Sequence, residues 1–182
     1  MTGELLYLFG EPGASKSSLM SHLTRRLAVT PYQHPFQHRL YTTAGVYEMG
    51  PRGHGSFPGT DGLSMSVQPT VVNWLRQQQP SFVIGEGDRL ANGSFFEAAR
   101  DLGYSLRLVH LKGEHAAALH RSIRNTEQNA GWVAGRRTKC FNLADEWWPL
   151  ELPAGAPMSV LEGHIAAQDW PIYEALKEAR DK

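Results

Sequence analysis

Cysteine is almost missing from this 182-residue chain; Cys140 is the only one. A lone thiol excludes an intramolecular disulfide and the Cys cluster of a structural zinc site, and it suits a reducing compartment. Net charge is missing too, because 18 Lys and Arg balance 18 Asp and Glu. The chain as a whole therefore lacks the cationic surplus that drives tight nonspecific binding to nucleic acid, and any polyanion must meet a local patch. No apolar run approaches the roughly 18 residues of a membrane span. The opening MTGELLYLFG has no basic start of the kind a signal peptide carries. A cytoplasmic protein without membrane contact is expected. The histidines include no H-E-x-x-H, and His115 and His120 miss a shared helical face, so no metal ligand is assigned among them. The guanine-reading N-K-x-D is absent, which argues against a GTPase. With no repeat or low-complexity tract, the length suits a single domain over residues 1–182 around one layered core.

What is present alternates short apolar segments with helical patterns, the pattern of an α/β fold with a mostly parallel sheet. Strands are expected at Leu5–Phe9, at Arg39–Thr43 or Gly45–Glu48, at Ser81–Ile84, at Leu106–Leu111 and at Pro157–Leu161. Helices are expected over Ser17–Ala28, from Ser66 to about Gln78, near Ser94–Leu102, over Ala116–Ile123 and over Pro171–Ala179. These give a three-layer α/β fold, with five mostly parallel strands and helices on both faces. A small arginine-rich lid is expected over about 121–143.

The stretch FGEPGASKSS, residues 9–18, sits between the first strand and the first helix. A phosphate loop needs backbone N–H groups curled around phosphate oxygens, a helix N-terminus behind them, a lysine for the terminal phosphates and a hydroxyl for Mg²⁺. Gly10, Glu11, Pro12, Gly13, Ala14, Ser15, Lys16, Ser17 and Ser18 supply these parts in order, with Lys16 as the cation and Ser17 as the Mg²⁺ ligand. Ser15 stands where the usual pattern has glycine. That substitution matters if the position requires positive φ or no Cβ.

Transfer of a phosphoryl group needs in-line positioning, neutralised oxygens and a carboxylate for the acceptor's proton or for Mg²⁺. FVIGEGDRL, residues 82–90, offers Glu86 and Asp88 just beyond a strand, where ligands of open α/β sheets gather, with Arg89 beside them. Glu86 is the first candidate for the base or Mg²⁺–water role and Asp88 the second. A plain helix-capping turn is the alternative for each. Downstream, Arg121 and Arg124 share a helical face, while Arg136 and Arg137 are expected in a glycine-flanked loop. These arginines form a candidate lid that holds the nucleotide and, through Arg136, stabilises the transferring group. A solvated charged surface would look the same. The glycine-rich loop over about 50–65 is a candidate acceptor cover, with Arg52, Phe57 and Asp61 as contacts and Arg89 and Arg137 completing the substrate side. A small-acceptor kinase using ATP and Mg²⁺ accounts for these features best. A nonenzymatic ATP-binding switch is the alternative of another class.

GEPGASKS, FPGTDGLSMSVQP, IGEGDRLAN and GWVAGRRTKCFNLA together resemble the bacteriophage P-loop kinases that phosphorylate 5-hydroxymethyluracil in DNA, within the thymidylate and nucleoside monophosphate kinase-like superfamily. The resemblance touches most of residues 5–143. It implies transfer from ATP to the base's hydroxymethyl group, giving 5-phosphomethyl-deoxyuridine, a step of thymidine hypermodification that protects viral DNA from host restriction. DNA containing 5-hydroxymethyluracil would be the partner, in the host cell cytoplasm. A kinase of free nucleosides or nucleoside monophosphates would share every ATP-side residue. Chemistry on a base in duplex DNA also requires taking it out of the stack or using single strands.

Overall fold

The computed structural model describes residues 3–30, 36–40, 45–52, 58–113 and 129–182. Strand β1, Glu4–Gly10, is buried at every residue. Its side chains alternate between two cores: Leu5, Tyr7 and Phe9 face one, Leu6 and Leu8 the other. A continuous apolar run is what a strand covered on both faces requires. Around it lie β2 (Gln37–Arg39), β3 (Val46–Met49), β4 (Phe82–Glu86), β5 (Ser105–Lys112) and β6 (Leu150–Pro153), in the spatial order β2-β3-β4-β1-β5-β6. Five of these are parallel, as expected; β2 adds a short antiparallel edge against β3, with His38 opposite Glu48.

Among the described residues, six helices cover the two faces. Helices α2 (Gln68–Gln78), α3 (Gly93–Asp101) and α4 (Ala130–Trp147) bring Val71, Trp74, Leu75, Phe95, Phe96, Cys140 and Leu143 to the Tyr7 side. On the Leu6 side, α1 (Lys16–Leu23), α5 (Met158–Ala166) and α6 (Pro171–Asp181) contribute Leu19, Leu23, Leu161, Ile165, Ile172 and Leu176. Burying so many large apolar side chains stabilises each layer by about 1.5–3 kcal/mol per residue, before chain entropy is set against it. Two acids, buried Glu4 and partly buried Glu162, fasten the Leu6 side. Glu4 accepts the Ile172 amide at 2.9 Å, at the start of α6, and the Arg107 guanidinium on its other oxygen. Glu162 of α5 receives Arg180 at 2.6 Å, His22 at 2.7 Å and the Tyr173 hydroxyl at 3.1 Å. Burial alone would raise the Glu162 pKa, but these partners, Arg180 above all, hold it at about 2.

Three expectations are corrected. The last parallel strand is Leu150–Pro153, not Pro157–Leu161, which forms the Pro157 N-cap and first turn of α5. Leu161 and Ile165, four apart, mark that segment as helical. The stretch from Ala130 onward is α4 and not a loop, so Arg136 and Arg137 stand on a helix. Asn129 caps it by accepting the Trp132 amide at 3.1 Å, and Cys140, Leu143 and Ala144 pack it down. Gly131 and Gly135 are tolerated because tertiary packing outweighs their helix cost of about 1 kcal/mol each. Finally, α1 ends at Leu23, five residues before the expected end: the Thr24 hydroxyl turns back to the Met20 carbonyl at 2.8 Å and Arg26 is left-handed, φ 67°. The helix expected over Ala116–Ile123 lies outside the described residues, as do Phe57, Arg121 and Arg124.

Candidate functional site

The loop between β1 and α1 closes at the carboxyl end of the central strand. Gly10 leaves the sheet against β5, so close that a Cβ there would stand 2.4 Å from the Leu111 carbonyl oxygen. The turn tightens through an Ala14 N–H bond to the Glu11 carbonyl, 3.1 Å. Ser15 then adopts φ 63°, ψ 24°, the left-handed region. The position before the lysine does require positive φ, and a serine carries it here at a cost of about 1–2 kcal/mol over glycine. The first hydrogen bond of α1 runs from the Leu19 amide to the Ser15 carbonyl, 3.0 Å. The preceding amides of Lys16, Ser17 and Ser18 thus have no intrahelical partner, and the positive end of the helix lies with them. Lys16 curls over the loop and gives its ammonium to the carbonyls of Gly10 and Glu11, both at 3.0 Å.

Glu86 and Asp88, two residues apart, diverge. Glu86 ends β4, next to β1, and is 3% exposed. The Ser17 hydroxyl donates to its Oε1 at 2.9 Å. Burial pushes the Glu86 carboxyl up to about 7; the charge of Lys16 and the Ser17 hydrogen bond oppose the shift, while Asp61 and Glu48 add to it. Asp88 points the other way, into α4. It accepts the Lys139 ammonium at 2.9 Å and pairs with the Arg136 guanidinium, which also lies over the Trp132 ring. Arg137, on the next face of α4, reaches toward the phosphate loop, with Nε 3.6 Å from Glu11 Oε1. Two carboxylates, one in each site motif, thus dock the basic face of α4 beside the loop.

Asp61 lies in the short 3₁₀ turn Gly59–Gly62 and accepts on Oδ1 the amides of Asp88 and Arg89, at 2.7 and 3.1 Å. Arg89 returns a bond to the Asp61 carbonyl at 3.3 Å. The Tyr7 hydroxyl, bonded to Thr60 Oγ1 at 2.7 Å and to the Gly87 carbonyl at 3.2 Å, pins the same turn to the sheet. Both residues, expected to contact an acceptor, here shape the turn that carries Glu86. Gly59 packs directly on the carboxylate: at φ 65°, a Cβ on it would meet Glu86 Oε1 at 2.1 Å.

Between α1 and the segments after β3 lies a cleft of about 140 Å³. Glu86 and Ser17 form its inner end, Arg25 and Arg26 its outer lip, and Glu48 and Arg52 its far wall. Glu48, one residue before the end of β3, is 6% exposed and accepts Arg52 Nε at 2.6 Å. Sequence reasoning missed Glu48, Arg25 and Arg26. For Glu48 a usable signal existed, an acid near the end of a short strand, much as Glu86 ends β4. No comparable signal marks the two arginines, which only the early end of α1 brings to the cleft.

The oxygens of Ser17 and Glu86 suit a hard cation, since Mg²⁺ is held by one or two carboxylates or hydroxyls and otherwise by phosphates and water. Among the described residues no group of three or more His, Cys, Asp or Glu could form an all-protein metal cage. Lys16 and the free amides fit the phosphates of a nucleotide.

Residues 1–170 match the family P-loop Nucleotide Kinase3. The chain belongs to this family of P-loop nucleotide kinases. Among solved structures, the kinase resembles a gluconokinase from Sinorhizobium meliloti 1021 with TM-score 0.52 and 9% identity, covering 99% of this chain and 94% of that one. The protein APE1195 aligns with TM-score 0.46 and 12% identity over 97% and 96%. No curated sequence matches. At such identities the likeness to the gluconokinase is one of fold. Among the described residues no helix is long and apolar enough to cross a membrane.

Proposed function

We propose that this kinase transfers the γ-phosphoryl group of ATP to the hydroxymethyl group of 5-hydroxymethyluracil in DNA. The observation that carries the reading is the placement of Glu86: a buried carboxylate with a pKa near 7, hydrogen-bonded to Ser17 of the phosphate loop and open to a cleft lipped by arginines. In the step, the hydroxymethyl oxygen forms a bond to the γ-phosphorus as the bond from that phosphorus to ADP breaks. The hydroxyl proton passes to Glu86 and then to water. Lys16 leaves the Gly10 and Glu11 carbonyls to meet the terminal phosphates. Ser17, with Glu86 in reach, would hold Mg²⁺, which would supply charge neutralisation at the phosphate oxygens.

Arg25 and Arg26 at the lip suit the phosphates that flank a base turned out of its stack. The four motifs GEPGASKS, FPGTDGLSMSVQP, IGEGDRLAN and GWVAGRRTKCFNLA support the DNA acceptor by resemblance. Arg137 is near enough to the loop to steady the transferring group once a nucleotide draws it from Glu11, whereas Arg136 is held by Asp88. The test offers labelled ATP with 5-hydroxymethyluracil DNA, unmodified DNA and a panel of free nucleosides and nucleotides. Label in the modified DNA alone is expected; label confined to the small molecules contradicts the reading and favours a free nucleoside or nucleotide kinase.

A further inference from the structure

The 3₁₀ turn Gly59–Gly62 straddles the end of β4. On the α1 side Gly59 lies against the Glu86 carboxylate, too close for a Cβ. On the opposite side Thr60 and Tyr7, both wholly buried, join their hydroxyl oxygens at 2.7 Å. Tyr7 has one O–H and donates it to the Gly87 carbonyl at 3.2 Å, so its oxygen accepts the hydrogen of the Thr60 hydroxyl. The Gly87 amide in turn bonds the Leu8 carbonyl at 3.2 Å. Both backbone polar groups of the residue after Glu86 are therefore tied to β1, and the same tyrosine ties in the residue after Gly59. Asp61 holds only the far end of the turn, at the amides of Asp88 and Arg89. The Gly59 amide also bonds the Pro51 carbonyl at 3.0 Å, which closes the base of the segment between β3 and the turn.

We propose that Tyr7 and Thr60 are positioning residues for phosphoryl transfer: their paired hydroxyls fix the backbone of Gly59 and, through it, the Glu86 carboxylate at the inner end of the cleft. The inference rests on the kinase reading above but not on its DNA acceptor. Glu86 has two supports, the Ser17 hydroxyl at 2.9 Å on Oε1 and the Gly59 backbone packed on the same oxygen. With the second loosened, a single hydrogen bond leaves the carboxylate free to rotate about it. A misplacement of about 1 Å costs on the order of 10²-fold in rate. Removing the tyrosine hydroxyl also strands the Gly87 carbonyl and the Thr60 hydroxyl in a buried setting, so the two turns separate to find other partners. The bonds of the two hydroxyls run to each other and to Gly87, none to the phosphate loop. Loss of the pair is thus felt in the chemical step and not in the binding of ATP.

The test compares Tyr7→Phe, Thr60→Val and Thr60→Ser with wild type; Thr60→Val carries it should Tyr7→Phe fail to fold. Transfer from labelled ATP is measured on whichever of 5-hydroxymethyluracil DNA and free nucleosides the wild type labels. The ¹³C signal of the Glu86 carboxyl, assigned by its loss in Glu86→Gln, is recorded by NMR without nucleotide. Expected in Tyr7→Phe and Thr60→Val are a kcat lower by about tenfold or more, a KM for ATP within about threefold of wild type, and a shifted or broadened Glu86 signal. Thr60→Ser, which keeps the hydroxyl, should match wild type in all three. In a Glu86→Gln background, Tyr7→Phe should cost less than about threefold more, because the positioned group is already gone. An unchanged kcat with an unmoved Glu86 signal overturns the inference, as do losses that multiply in full in the double variant. Label in nucleosides but not in DNA contradicts the DNA reading alone. No label in any acceptor, with the Glu86 signal still moved, contradicts the kinase reading and leaves the hold on Glu86 standing.

Discussion

The Ser17 hydroxyl and the Glu86 carboxylate meet at 2.9 Å across the gap between the start of α1 and the end of β4. Ser17 belongs to the phosphate loop and lines the cleft with Glu86, so in the proposed reaction this one hydrogen bond marks where donor and acceptor come together.

Glu86→Gln is expected to lower phosphoryl transfer by about 10²–10⁴-fold, the usual contribution of a general base, and to stabilise the ligand-free protein. Burial raises the Glu86 pKa from 4.5 to about 7, so between those values the folded state holds a proton that the unfolded state has released. Stability therefore falls as pH rises through that window, and the full cost, on the order of 3 kcal/mol, is present above it. Urea denaturation should show the variant more stable at pH 8 and equal to wild type near pH 4. Asp88→Asn, which loosens α4 through Arg136 and Lys139, is expected to cost activity at least tenfold less than Glu86→Gln. Equal losses in both variants would contradict the separate placement of the two carboxylates.

Ser15→Gly is expected to stabilise the fold by about 1 kcal/mol, because glycine takes φ 63° without the clash a Cβ brings. Transfer rates should stay within a few-fold of wild type. A thermal melt checks the first point and steady-state kinetics the second; a loss of stability would show that the serine side chain holds the loop.

Gly59→Ala adds one methyl group 2.1 Å from Glu86 Oε1 at a backbone φ of 65°. Something must shift, and the nearest atoms belong to Glu86. Transfer should fall at least tenfold, with a stability loss of about 1–3 kcal/mol for the strained backbone. Full activity would mean that the carboxylate position is not critical.

Glu162→Gln addresses the opposite face of the sheet. Arg180, His22 and Tyr173 hold the Glu162 carboxyl at about 2 against the effect of burial. A depressed pKa contributes stability that is present above the unfolded value of 4.5 and is lost as pH falls toward 2. The variant should be less stable by on the order of 2 kcal/mol at pH 7, with the difference vanishing in acid and transfer largely retained. A pH-independent difference would point to packing instead of charge.

How much of this was legible in the sequence follows from how each part is built. The phosphate loop is local: strand, glycines, Lys16 and helix follow one another, and the pattern that identifies it is also the geometry. Glu86 was legible for the same reason, as an acid closing an apolar strand. The cleft was not, because Ser17, Arg25, Glu48 and Gly59 meet only when α1, β3 and the 3₁₀ turn are packed together. Strand β6 is four residues, LELP, between Pro149 and Ala154, too short for its alternation to stand out. Helix α4 was hidden by Gly131 and Gly135, which read as breaks until the packing of Cys140 and Leu143 is seen to override them. The even division of charge also concealed that the basic residues of α4 are already paired with Asp88 and Glu11.

The most direct measurement of the central claim is the chemical position of the new phosphate. DNA containing 5-hydroxymethyluracil is incubated with the protein, ATP and Mg²⁺, digested to nucleosides and analysed by mass spectrometry, with Lys16→Ala as the control. The account predicts 5-phosphomethyl-deoxyuridine from the wild-type reaction and none from the variant. An unmodified hydroxymethyl group in the wild-type reaction, alongside phosphorylated free nucleosides or nucleotides, would contradict it.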